Sequence, residues 1–108
     1  MKTSELTGAA LDWAVAKCEI TDACIFKIKK GKVIDRLGLV WSPSTNWAQG
    51  GPIIKHEKIA IAWDSVASAW IATKTELPLW GSTPLIAAMR CYVASKLGDE
   101  VDIPKELL

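Results

Sequence analysis

Between residues 7 and 18, Leu11, Ala14, Val15 and Cys18 fall at three- and four-residue intervals, with Asp12 and Lys17 turned away from them. That period predicts an amphipathic helix, and Ser4 or Thr7 can cap its start by accepting a bond from an orphan backbone N–H. Over 24–29 apolar and basic residues alternate, Lys30-Gly31-Lys32 interrupts the pattern, and 33–37 resumes the apolar content. Such alternation sends successive side chains to opposite faces and predicts a β-hairpin. Two further strands are expected over 59–63 and 69–73 around a turn at 64–68, with Ile59, Ile61 and Trp63 on one face; a helix over this Ala-rich stretch is the alternative.

The last helix announces both of its ends. Thr83 stands at the N-cap, Pro84 at the first helical position, Lys96 in the last turn and Gly98 just beyond. Within it Leu85, Met89, Tyr92 and Val93, or Ile86, Met89, Val93 and Leu97, make a broad apolar stripe in which Arg90 is the odd polar residue. Between hairpin and strands, residues 39–52 are rich in small polar and turn-forming residues and read as a loop. Ser44 can cap a short turn there, and Gly51-Pro52 can stop that turn or open a second one through Lys58. The order of helix, strands, loop, strands and helix predicts an α+β fold: a small, mostly antiparallel sheet with the N-terminal and C-terminal helices packed on one face.

The length of 108 residues fits a single domain spanning 1–108, and a chain half apolar and 23% charged has enough apolar surface to fold alone. Thirteen basic against twelve acidic residues leave a net charge of +1, a field too weak to select nucleic acid or an anionic membrane. No apolar run approaches the roughly 18 residues of a membrane span, so a soluble, cytoplasmic protein is expected. One His and three Cys cannot supply a paired zinc set or an even disulfide framework. No metal, no cofactor and no catalytic residues are expected; the reading is of a protein that is not an enzyme.

Candidate chemistry concentrates in the loop. Trp41, Ser42, Ser44, Thr45, Asn46, Trp47, Gln49, Gly50 and Gly51 bring two indoles, hydroxyls, amides and bare backbone together within eleven residues. Glycine lets backbone N–H groups approach a ligand and hydroxyls donate to its oxygens, while an indole offers a flat stacking surface. The same composition suits a hydrogen-bonded structural loop. Six of the eight aromatic residues are tryptophan, a type that fills cores and also anchors interfaces; Trp47 is the one expected to serve a site or an interface. Thr83 opens the last helix, whose first-turn N–H groups attract anions, although every capped helix shares that property. Arg90 is read either as an ion pair with Asp12 or Glu57 or as a ligand contact. His56 reads as a surface histidine, the cysteines as small core residues, and Lys27, Lys29, Lys30 and Lys32 as a solvated hairpin face.

The stretches 4–17, 42–54 (Ser-Pro-Ser-Thr-Asn-Trp-Ala-Gln-Gly-Gly-Pro-Ile-Ile) and 83–100 (Thr-Pro-Leu-Ile-Ala-Ala-Met-Arg-Cys-Tyr-Val-Ala-Ser-Lys-Leu-Gly-Asp-Glu) closely resemble, in the same order, the phage nin-region protein X family. The family's position at Asn46 is commonly acidic, so this chain departs from it there. The resemblance implies a small accessory protein of lambdoid phages and prophages, made in the cytoplasm of an infected bacterium. With it, the loop at 42–52 and Arg90 become the expected site for a nucleotide-like small molecule, a host immune signal that the protein binds and sequesters. The alternative is an inhibitor or adaptor of a host or phage protein; a nucleic-acid accessory factor is third, weakened by the near-neutral charge. Six indoles on a small sheet also lead to an expected homo-oligomer, since symmetric pairing covers apolar patches.

Overall fold

Helix α1 (Gly8–Glu19) forms where the apolar period lies in the computed structural model, which describes residues 1–19, 26–74 and 77–108. Its ladder begins at the Thr7 carbonyl, which accepts from Leu11 N–H. Leu11, Ala14 and Val15 are fully buried, as the spacing requires. Asp12, expected to face away, is buried instead, because the following loop folds back over that side of the helix.

Strands β1 (Lys27–Lys29) and β2 (Lys32–Ile34) make the expected antiparallel hairpin, with Lys27 opposite Ile34, but β2 stops short of the expected Leu37 because the chain turns at 35–38, where Gly38 N–H donates to the Asp35 carbonyl. Lys30 and Gly31 turn the chain with φ of 52° and 73°, the paired positive values that match the twist of a two-residue hairpin turn. The expected hairpin began at Cys24; residues 24 and 25 lie outside the described residues.

The loop expectation for 39–52 holds only as far as Asn46. From there the chain enters α2 (Trp47–Glu57), which runs straight through Gly50, Gly51 and Pro52. Asn46 rather than Ser44 caps it, accepting Ala48 N–H at 2.9 Å. Pro52 lacks the N–H that would bond back to Ala48, and the helix persists because Gly50 and Ile53 are buried beneath it. Lys58 ends α2 in the left-handed conformation at φ 56°.

The strand reading for the Ala-rich stretch is the correct one. β3 (Ala60–Asp64) and β4 (Ala69–Thr73) pair antiparallel in unbroken register, Ala60 opposite Thr73 and Trp63 opposite Trp70. A third strand that the sequence did not reveal, β5 (Leu79–Gly81), pairs with β4, giving the order β3-β4-β5. Helix α3 (Pro84–Leu97) has the expected ends: Thr83 Oγ1 accepts Ile86 N–H at 3.1 Å, and Gly98 N–H returns to the Ala94 carbonyl.

In this α+β domain helix α3 packs against the three-stranded sheet on one side and against α1 and α2 elsewhere, while α1 also meets the separate β1–β2 hairpin. Being enclosed on several sides explains its unusually wide apolar stripe: Leu85, Met89, Tyr92 and Val93 are all buried. Leu6, Leu11, Val15, Ile53, Ile59, Ala72, Met89 and Val93 belong to one continuous core. Among the described residues, no helix is long and apolar enough to cross a membrane.

Candidate functional site

Most of the hydrogen bonds of the 41–49 segment run within it or to α1. Trp41 Nε1 donates to the Asp12 carbonyl at 3.1 Å, and Ser44 N–H donates to Asp12 Oδ1 at 2.9 Å. The Gln49 side chain clasps both strands of the loop, accepting Ser42 N–H at 2.6 Å and donating to the Val40 carbonyl at 3.0 Å. Gly50 N–H, expected to face a ligand, donates instead to the Asn46 carbonyl, and Gly51 is half-buried within α2. This network is a latch that fastens the loop and the start of α2 onto α1.

Burial is the main influence on Asp12 and pushes its carboxyl above the usual range, opposed by the bonding to Ser44. Ser44 Oγ lies buried beside the same carboxylate without a bond of good geometry. A raised folded-state value means that the stability contributed by protonated Asp12 is fully present below the ordinary carboxyl value and is lost as pH rises through the folded one. Asp12→Asn, which keeps an acceptor for Ser44 without the charge, is therefore expected to match or exceed the wild type in stability at neutral pH. Asp12→Ala orphans a buried N–H and is expected to cost about 1 to 3 kcal/mol. Thermal unfolding of both variants between pH 4 and 8 checks the pair; equal losses would contradict this account.

Seven of the residues expected to form one site are divided among three depressions, and Ser42, Asn46, Gly50 and Gly51 line none of the three. Ser44, Thr45, Trp47 and Thr83 do come together, around a volume of about 200 Å³ at the start of α3, with the Trp47 side of the cleft open to solvent. Trp41 and Gln49 line a second depression of about 380 Å³ with Glu19, His56 and Glu57. Arg90 is in neither. The expected ion pair between Arg90 and Asp12 or Glu57 does not form, because both carboxylates are engaged elsewhere. Asp12 holds Ser44, while Glu57 binds Lys74, with Lys96 at 3.7 Å and His56 at 3.6 Å. The Lys74 hydrogen bond is the largest of the influences that hold the Glu57 carboxyl below its ordinary value.

Arg90 instead lines a third depression of about 400 Å³, together with Ser4, Ser68, Pro78, Leu79, Trp80 and Ser82. Two of its donors are fixed: Nε to the Leu6 carbonyl at 2.8 Å and Nη1 to the Trp80 carbonyl at 2.7 Å. These bonds hold the guanidinium plane at the outer edge of β5. Among the described residues Arg90 has no ion pair, and it is the only charged group lining the depression. Trp80 lines the same depression, and its indole is held as well, Nε1 donating to Asp64 Oδ2 at 2.9 Å. Asp64 accepts from Val66 and Ala67 N–H as well, and these bonds, that of Trp80 foremost, lower its pKa.

Sequence reasoning singled out Arg90 and missed Ser4, Ser68, Trp80 and Ser82 as its companions. They arrive from the N-terminus, the β3–β4 turn, β5 and the approach to α3, so no linear motif joins them.

The family model described as Bacteriophage P22, NinX matches residues 2–96. The chain belongs to the NinX family. The match takes in every residue of the Arg90 depression and all of the latch, and it ends in the last turn of α3. NinX membership thus agrees with the nin-region resemblance carried by the three motifs. No curated protein matches the chain.

Proposed function

We propose that this NinX chain works by binding rather than by chemistry, and that its ligand is a nucleotide-like small molecule held in the Arg90 depression. The observation that carries the reading is the half-buried guanidinium with no acidic partner among the described residues. A charge withdrawn from water is ordinarily compensated, and an anion of the ligand supplies what the chain does not. Two carbonyls fix the fork, leaving its other donors for a phosphate or carboxylate. The hydroxyls of Ser4, Ser68 and Ser82 can add neutral bonds, and the pinned face of Trp80 offers a stacking surface for a base. The reading moves the site from the 42–52 loop, whose groups are largely spent on the latch, to a neighbouring surface. In a phage-encoded protein, capture of a host nucleotide signal is the role that binding without turnover would serve.

The test incubates the protein with extracts of bacteria whose nucleotide immune signalling is switched on. Free solutes are removed, the protein is denatured, and released molecules are identified by mass spectrometry. An intact nucleotide is the expected product. Ser82→Asp, an exposed position, sets a carboxylate beside Arg90 and is expected to abolish capture in a folded protein. No released anion, or release that Ser82→Asp leaves unchanged, would overturn the reading.

A second reading, an inhibitor or adaptor of a host or phage protein, has its own observation. Trp47 and Trp63 are each more than half exposed, at 56% and 54%, and exposed tryptophans are frequent anchors of protein interfaces. It would be favoured by a single protein recovered with the wild type and lost with Trp47→Ala.

A further inference from the structure

Among the described residues the edge of β3 away from β4 meets no other strand, and the geometry points to a twofold dimer in which β3 of two copies joins their sheets into one of six strands. β3 and β5 are the two edges of the sheet. The β5 edge is occupied: its Trp80 carbonyl points away from β4 and accepts Arg90. That bond also fixes the alternation across the sheet. Trp80 and Ile71 are then a non-hydrogen-bonded pair, Ile71 turns its backbone groups toward β3, and its partner Ala62 turns back toward β4. The N–H and C=O groups of Ile61 and Trp63 consequently point outward along the open edge, and among the described residues no backbone group outside the sheet meets them.

Nothing in the strand protects that edge. Ala-Ile-Ala-Trp-Asp contains no proline, lysine or bulge, and its register with β4 is unbroken over five pairs. Natural edges are usually blunted by one of these devices. Ala60 and Ala62 are exposed, and so is more than half of Trp63.

A second copy fits better than an arbitrary strand because the sequence is self-complementary about Ala62. An antiparallel pairing centred there sets Ile61 opposite Trp63 of the other copy, twice, and so uses all four outward groups of each strand. The two Ala62 residues meet at the axis as a non-hydrogen-bonded pair, the closest cross-strand spacing, where a small side chain fits. Each Ile61 then packs beside an indole, a favourable β-branched and aromatic pair. Asp64 falls opposite Ala60, so no like charges face each other.

The inference is independent of the Arg90 reading and is tested without ligand. Sedimentation of the full chain is expected to show a reversible dimer, with amide exchange at Ile61 and Trp63 slowing as concentration rises. Ala62→Lys brings two ammonium groups together at the axis from an exposed position. It is expected to weaken dimerisation about tenfold or more while leaving the monomer's thermal unfolding unchanged. A monomer throughout, up to about 1 mM, would overturn the proposal. So would a dimer indifferent to Ala62→Lys, or one without protection at Ile61 and Trp63.

Discussion

Truncating Leu11 or Met89 to alanine is expected to cost about 2 to 5 kcal/mol in either case. Both side chains are completely buried, Leu11 on α1 and Met89 near the middle of α3. Part of the cost is the lost transfer of apolar atoms from water, and the remainder is the cavity left behind. Relaxation into that cavity is restricted at Met89, because α3 is packed by the sheet on one side and by α1 and α2 elsewhere. In a domain of this length each kcal/mol lowers the melting temperature by roughly 4 to 8 °C, so either variant is expected to melt at least about 8 °C lower. Urea denaturation gives the free energy directly. Val66→Ala, at a side chain 96% exposed, serves as the reference and is expected to stay within about 0.5 kcal/mol of the wild type. If Leu11→Ala behaved like that reference, the packing of α1 would be wrong.

Gly50→Ala is expected to be nearly as damaging, although it adds a single methyl group to a helix. In most helices that exchange is favourable, by about 1 kcal/mol. Here the new Cβ would stand 2.5 Å from the Pro43 carbonyl oxygen and 2.6 Å from Leu85 Cδ2. Leu85 can give way by a rotamer change; the Pro43 backbone cannot, since the Ser44 N–H next to it is fastened to Asp12. Overpacking of this kind typically costs about 1 to 3 kcal/mol. Gly51→Ala is the internal control, for its Cβ would meet nothing within 4 Å. Thermal unfolding of the two variants should therefore separate them clearly, and equal stability would show that α2 is not seated against the loop as described.

This pair of glycines also shows why residues 47–52 read as loop in the sequence and yet fold as helix. Two adjacent glycines and a proline carry strong local signals for irregular backbone. What overrides them is contact at a distance: without a side chain Gly50 lets α2 seat closely against Pro43 and Leu85, where Gly50 and Ile53 are buried. Asp12 misled in the same way. On a helical wheel it belongs to the polar side of α1, yet that side becomes interior once Ser44 and Trp41 close over it.

The sequence by itself determined the elements whose evidence is local. Period fixed α1, and the cap Thr83, the leading Pro84 and the closing Gly98 fixed α3 at both ends. Alternation fixed the β1–β2 hairpin within its described residues, and the strand reading of 59–73 came from residues that pair in one continuous register. Three motifs in order determined the family, which the match over 2–96 bears out. Tertiary structure alone decided the rest. β5 is three residues long, too short to leave a periodic signal, and is set in place by pairing with β4 and packing against α3. The companions of Arg90 were decided there too, since they sit on the N-terminus, the β3–β4 turn, β5 and the approach to α3 and meet only when α3 lies across the sheet. A local pattern records how a residue relates to neighbours within a few positions; what an arginine finds at the far end of its side chain is set by the packing of whole elements.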